Sequence, residues 1–168
     1  MAARYINYIL WFFGLLIVQV LLLNNVLVFG YATPYLYIYL LFFMDSSLVS
    51  RNQLMVWAFF LGLGVDIGSN TLGMNAAAAV LLAFSRPMLI SMFCQVNDDA
   101  NNFRPSIRNM GVAGYLKYLS LGVLIHHIAL LSIEFFKISS LSMLSLRIIG
   151  SAILTTICIF AIERIRNN

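Results

Sequence analysis

Long apolar stretches separated by short polar segments run along the whole sequence. The apolar runs recur at roughly 17–25 residues, the length that an α-helix needs to cross a lipid bilayer. The pattern predicts an all-α membrane protein, a bundle of six transmembrane helices in a single integral membrane domain over residues 1–168. The predicted spans cover residues 5–23, 34–48, 53–65, 71–94, 111–136 and 144–162.

The predicted span over 53–65 is too short for a membrane core, because about 13 residues at about 1.5 Å each cover roughly 20 Å. Either it begins nearer Ser50 or the turn after it dips into the membrane. The preceding span is predicted to open at Thr33 and Pro34, a typical N-cap and first-turn pair.

Composition supports a membrane protein, since 62% of the residues are hydrophobic and only 10% are charged. Soluble domains carry about 25% charged residues. The net charge of +4 predicts orientation rather than nucleic-acid binding, because the basic residues lie singly between spans. Most of them fall on the side that holds both termini: Arg4, Arg51, Arg86, Arg104, Arg108, Lys117, Arg164 and Arg166. By the positive-inside rule that side is cytoplasmic, and the first span, which no small-residue cleavage site follows, is predicted to be retained.

The most polar stretch of an otherwise apolar region is 61–75, where glycines surround Asp66. Asp66 has three interpretations: an intramolecular cap or ion pair, part of a partner-binding surface, or a ligand of an ion or small molecule. Asn70 and Thr71 are predicted to cap the next helix, whose Ala76–Ala79 run suits close packing against Gly62 and Gly64. On the predicted topology this turn faces outward.

A second polar group lies inside the fifth predicted span. His127 and Glu134 are seven residues apart and share one helix face, and His126 lies beside them. We predict that these three residues form an intramembrane polar network, which Asp66 of the third span could join. A metal site is not predicted, because these residues give an incomplete ligand set.

A third group is the cytoplasmic basic loop of Arg86, Arg104 and Arg108, with Arg86 predicted to extend to the far interface. It is either a solvated connector or a contact for anionic lipid headgroups or a cytoplasmic filament. No nucleophile, phosphate-binding or dinucleotide motif occurs, so neither an enzyme nor a cofactor is predicted. An intramembrane hydrolase that depends on His126 or Asp66 is a distant alternative.

The stretch G-L-G-V-D-I-G-S-N-T-L-G-M-N-A-A-A-A-V-L-L-A-F-S-R-P resembles the rod-shape-determining MreD family. The resemblance rests on Gly62 and Asp66 at the end of the third span and on Leu72, Gly73 and Asn75 at the start of the fourth. His126-His127 with Glu134 is similar to the Bacteroidetes branch of that family.

The resemblance implies a non-enzymatic assembly subunit of the cell-wall elongation machinery in the bacterial inner membrane. Its direct partner would be MreC, with the RodA polymerase, its partner transpeptidase and MreB filaments in the same complex. The family fold is similar to the six-helix substrate-binding subunits of energy-coupling-factor transporters. The alternative function is therefore a small-solute-binding, vitamin-type transporter subunit. A polar, aromatic-lined cavity would favour the transporter subunit, and an apolar groove on the lipid face would favour the assembly subunit.

Overall fold

A computed structural model of the chain describes residues 2–28, 30–71, 73–93, 104–134 and 141–166. These ranges form a helical bundle, with 3₁₀ turns at Leu23–Asn25 and Leu36–Ile38. The α-helices are α1 (Ala2–Leu21), α2 (Tyr39–Phe43), α3 (Arg51–Ser69), α4 (Met74–Phe93), α5 (Ile107–Glu134) and α6 (Leu141–Arg166). Glycine breaks α5 near its start, where Gly111 has a φ of 69°.

Four helices in the described ranges are long and apolar enough to cross a membrane. They are Ala3–Asn25, Met74–Phe93, Ile107–Glu134 and Ser142–Arg166. The predicted class, an all-α multi-pass membrane protein, is thereby supported, with four such helices where six were predicted. Helix α3 has 19 residues and is not among these four; polar residues in its first turn and Asp66 interrupt its apolar sequence.

A continuous helical span over 34–48 was a wrong prediction. The α-helix there, α2, has only five residues, and Met44 after it is extended. The segment Thr33–Asp45 nevertheless runs from one end of the bundle to the other, in the interior. Residues 37–44 are all at most 2% exposed, so this part of the segment does not face lipid.

The non-helical start of this segment is stabilised by side chains of α1 and α6. Backbone N–H groups cannot stay unpaired in an apolar interior, so irregular backbone at membrane depth requires such partners. Three backbone N–H groups of the segment donate to side-chain oxygens. The N–H of Thr33 donates to Ser151 Oγ at 3.0 Å, that of Tyr35 to Thr155 Oγ1 at 3.0 Å, and that of Leu36 to Gln19 Oε1 at 2.8 Å. Residues far apart in sequence thus replace the hydrogen bonds that a helix would supply.

The beginning of α1 and the end of α6 lie at the same end of the bundle. Arg4 pairs with Asp45 at 3.3 Å, and the Arg166 guanidinium lies 4.4 Å from the ring centre of Phe43. We call this the Arg4 end. The turn between α3 and α4 lies at the other end, which we call the Asp66 end.

Helix α3 begins and ends with specific caps. Ser50 and Gln53 form a reciprocal capping box at its start. Asn70 terminates it in a left-handed conformation, with φ 56°. The helix therefore begins near Ser50 and continues past Asp66 to Ser69. Of the two alternatives given for the short span over 53–65, the structure agrees with the earlier start.

Gly62 allows α3 and α4 to touch backbone to backbone. A Cβ placed on Gly62 would lie 2.5 Å from Ala76 Cα and 2.7 Å from the carbonyl carbon of Asn75. The predicted packing of Gly62 against the alanine run is confirmed. Gly64 instead faces Leu16 of α1, so its predicted pairing with that run is wrong.

We expect Gly62→Val to lower the unfolding midpoint in detergent, because α3 and α4 must separate to admit the side chain. Overpacking of this kind costs about 1–3 kcal/mol. Gly14→Val is the matched control, since nothing lies within 4 Å of a Cβ at Gly14. Equal midpoints for the two variants would contradict a tight α3–α4 contact.

Candidate functional site

Asp66 is buried, at 1% exposure, and its carboxylate caps the N-terminus of α4. Oδ1 accepts from Thr71 Oγ1 at 2.6 Å and from the backbone N–H of Asn75 at 3.0 Å. Oδ2 accepts from the backbone N–H of Ala76 at 3.0 Å. A negative charge is stabilised at a helix N-terminus by the unpaired N–H groups and the helix dipole. The cap of α4 is therefore Asp66, and the prediction that Asn70 and Thr71 cap it is wrong.

Two backbone features of the described residues shape the turn around Asp66. Thr71 N–H donates to the Asp66 backbone carbonyl at 2.9 Å, and Gly73 holds a φ of 73° that favours glycine. All four hydrogen bonds to the Asp66 carboxylate come from residues 71–76, at and after this turn. A partner that approaches this end would contact the surface of the turn rather than the carboxylate.

A chain of hydrogen bonds connects Asp66 to the predicted histidine network. Asn75 donates its side-chain amide to Asp66 Oδ1 at 3.0 Å and accepts from the Tyr37 hydroxyl at 3.2 Å. The Tyr37 hydroxyl lies 2.7 Å from His126 Nε2. Asp66 and His126 therefore belong to one polar network, which passes through Asn75 and Tyr37. Within the described ranges, His126 Nδ1 has no hydrogen-bond partner.

His127 has a separate role. Its Nδ1 lies 2.8 Å from the Val123 carbonyl, so this nitrogen donates, and Nε2 lies 3.3 Å from Thr155 Oγ1. Thr155 also accepts the backbone N–H of Tyr35, so His127 supports the irregular segment described above. A Thr hydroxyl both donates and accepts, which makes the three groups mutually compatible.

Glu134 is not in the histidine network, contrary to the prediction. Its Oε1 lies 3.8 Å from Arg147 Nη1 of α6, and about a third of each side chain is exposed. The seven-residue spacing places Glu134 two turns from His127, too far for direct contact. In the described part of the chain, no group of three or more His, Cys, Asp or Glu side chains is arranged to hold a metal ion.

A polar cavity of about 270 Å³ opens at the Asp66 end. Its lining combines tyrosines, hydroxyl and amide side chains, the Glu134–Arg147 pair and four aliphatic or thioether side chains. The lining residues are Asn24, Leu27, Tyr31, Thr33, Tyr35, Ser69, Thr71, Met74, Asn75, Leu130, Leu131, Glu134, Arg147 and Ser151. The cavity thus brings Glu134 near Asn75, although the two are not bonded to each other.

An apolar groove of about 660 Å³ lies on the outer face of α3 and α4. Its floor is made of the small residues Gly73, Ala76 and Ala77. Its walls are larger apolar side chains of the two helices: Met55, Phe59, Leu63, Val80, Leu81 and Phe84. A second depression, which includes Val56 and Phe60, continues it toward the Arg4 end.

Arg86 does not belong to a basic surface loop, so that prediction is wrong. It is 3% exposed within α4, and its guanidinium donates to the Met44 carbonyl and to the Tyr118 hydroxyl, the latter at 3.1 Å. No carboxylate of the described ranges pairs with it. Arg86 extends inward because the carbonyls that end α2 offer acceptors there.

Arg104 and Arg108 are exposed before and in the first turn of α5. The predicted loop between α4 and these two arginines lies outside the described residues. Leu72, part of the stretch that resembles the MreD family, also lies outside them. Contact of these two arginines with headgroups or a filament stays a prediction.

Sequence reasoning did not assign Tyr37, Arg147 or Thr155 to the site. The sequence feature that could have identified them is a polar or phenolic side chain inside an apolar stretch. Gln19 is a further example: it is 0% exposed, and its side-chain amide donates to Asn24 Oδ1 at 2.8 Å. Asn24 in turn donates to Ser69 Oγ at 2.6 Å, which ties the end of α1 to the end of α3.

Comparison with known proteins gives no match among family models, curated proteins or solved structures.

Proposed function

We propose that the protein is a non-enzymatic assembly subunit of the inner-membrane machinery for cell-wall elongation, with MreC as its direct partner. RodA, the partner transpeptidase and MreB filaments would associate with the protein indirectly, as members of the same complex. Two arguments support the proposal: the resemblance of the Gly62-to-Asn75 stretch to the MreD family, and the apolar groove that begins beside it. The apolar groove is the main structural observation in support of this proposal.

The groove suits a transmembrane helix. In lipid, helices associate where small residues allow close approach, because apolar surface alone gives no preference over lipid tails. Ala77 is exposed at the floor, and Phe59 and Phe84 in the walls are 46% and 52% exposed. A single-span partner such as MreC would pack its helix there and place its outer domain beside the Asp66 turn.

The burial of Asp66 and His126 supports a structural rather than catalytic role for both. Asp66 has four hydrogen bonds to its carboxylate, and His126 is 0% exposed. Neither side chain is open to a substrate in this arrangement.

The proposed topology has six crossings, with α3 and the interior segment Thr33–Asp45 added to the four apolar helices. The Arg4 end would be cytoplasmic. In support, Arg4 and Arg166 lie at that end, and Arg147 alone among the described basic residues lines the cavity at the other.

Ala77→Phe is expected to reduce co-purification of MreC in mild detergent by about fivefold or more, because the phenyl ring fills the floor of the groove. An overpacked contact costs about 1–3 kcal/mol, and 1.4 kcal/mol is a tenfold change in affinity. The measurement is the ratio of MreC to this protein after affinity purification.

Ala161→Phe is the matched control, since Ala161 is also exposed on a helix but lines neither groove nor cavity. Equal recovery of MreC with both variants would place the partner elsewhere. If the wild type itself recovers no MreC, the assembly proposal fails.

A second candidate function, a small-solute-binding subunit of a transporter, is supported by the polar cavity. Several tyrosine, hydroxyl and charged groups converge on it, as in ligand sites generally. A transporter subunit would co-purify with an ATP-hydrolysing module instead of MreC, and the same purification distinguishes the two.

A further inference from the structure

We propose that the cavity at the Asp66 end binds a small zwitterion, with its ammonium group at Glu134 and its anionic group at Arg147. This chemistry is shared by free amino acids and by the headgroup of an ethanolamine phospholipid. The inference deepens the second candidate function. It rests on the cavity alone, so it holds also for an assembly subunit that senses a ligand.

The charges of the cavity are those that a zwitterion needs. Glu134 and Arg147 lie on neighbouring helices, and both line the cavity. Their closest atoms are 3.8 Å apart, whereas charge-assisted hydrogen bonds are about 2.7–2.9 Å long. The pair is therefore loose, and each group keeps hydrogen-bonding capacity for a ligand. The planar guanidinium can bind a carboxylate or phosphate through two parallel hydrogen bonds.

The remaining lining indicates a short apolar body. Leu27, Met74, Leu130 and Leu131 supply apolar surface, and the Tyr35 ring adds an aromatic face. The side-chain amide of Asn75 is a lining group whose orientation is fixed by Asp66 and Tyr37. An apolar side chain can thus lie among the leucines while the charged groups stay with Glu134 and Arg147.

The cavity volume limits the ligand size. About 270 Å³ corresponds to about nine water molecules at about 30 Å³ each, below the usual range for drug-sized ligands. An apolar amino acid such as leucine fits within this volume.

The experiment is isothermal titration calorimetry of the full chain in detergent micelles free of ethanolamine lipids. The probes are L-leucine, glycerophosphoethanolamine, and two leucine analogues that each lack one charge: 4-methylpentanoic acid and 3-methylbutan-1-amine. We expect at least one zwitterion to bind, and the single-charge analogues to bind at least tenfold more weakly than leucine. Binding of leucine identifies the free amino acid as the source, and binding of glycerophosphoethanolamine alone identifies the lipid headgroup.

Variants test the two charges separately. Glu134→Gln and Arg147→Gln are expected to weaken zwitterion binding at least tenfold, whereas Arg147→Lys retains part of it because the charge remains. Arg164→Gln removes one exposed positive charge outside the cavity and is expected to leave binding unchanged. Because the pair is partly exposed, its loss has little effect on folding, and the elution profile in size-exclusion chromatography verifies this.

The proposal is overturned if neither zwitterion binds, if leucine binds but its single-charge analogues bind as well, or if the Glu134 and Arg147 variants bind like the wild type. Failure here is distinct from failure of MreC binding. The cavity and the groove share no lining residue, so the Ala77→Phe measurement is independent of the titration.

Discussion

Replacing Asp66 with alanine is expected to lower the free energy of unfolding by about 3–5 kcal/mol, one of the two largest effects that we predict. The carboxylate accepts four hydrogen bonds, two of them from buried backbone N–H groups of α4. Loss of a helix cap costs about 1–2 kcal/mol, and each hydrogen bond to a charged group contributes about 1.5–3 kcal/mol. The loss also removes the anchor of Asn75, so the chain to His126 is expected to loosen.

Unfolding in detergent, followed by circular dichroism against denaturant, measures this effect. Asn70→Gly is the control in the same turn, because Asn70 is exposed and glycine tolerates its left-handed φ of 56°. Asp66→Asn is expected to fall between the two, since the amide keeps one acceptor oxygen but turns donors toward N–H groups. An Asp66→Ala midpoint equal to that of Asn70→Gly would show that the cap contributes nothing.

Replacing Arg86 with alanine is expected to cost about 3 kcal/mol, the second large effect. The change leaves the Met44 carbonyl without its charged donor and removes the bond to Tyr118. An unpaired buried polar group costs about 1–3 kcal/mol, and the space vacated by the long side chain adds to this. Arg86→Lys retains one donor but not the planar fork, so its expected loss is smaller.

Arg164→Ala is the matched control for Arg86. Arg164 is exposed near the end of α6 and lines neither the cavity nor the groove. We expect its unfolding midpoint to stay within the error of the wild type. If Arg86→Ala changes the unfolding midpoint as little as Arg164→Ala does, then the surrounding aromatic side chains, rather than the guanidinium, hold the C-terminal end of α2.

Sequence patterns predicted the parts of the fold that depend on local chemistry. Apolar runs located α1, α4, α5 and α6, and the crowding of polar residues around Asp66 identified the turn. Gly62 was correctly paired with the alanine run, because small side chains on consecutive helices favour close approach. The six-crossing count, the orientation and the partner remain predictions.

The features that sequence did not predict depend on contacts between distant parts of the chain. Tyr35 and Thr155 are 120 residues apart, and no periodicity indicates that one accepts the N–H of the other. The same is true of Tyr37 and His126, 89 residues apart. Arg86 was misassigned because its position along the helix predicts an exposed end, whereas the acceptors that draw it inward come from α2.

The interior segment Thr33–Asp45 imposes an order on biogenesis. Its early N–H groups need Ser151 and Thr155, which are synthesised more than a hundred residues later. Until α6 has inserted, the segment lacks acceptors that lipid cannot supply. We therefore expect this segment of the nascent chain to stay in the translocation machinery or at the wet interface until then. Chains truncated before α6 are consequently expected to be substrates for membrane quality-control proteases, even though their first helix inserts normally.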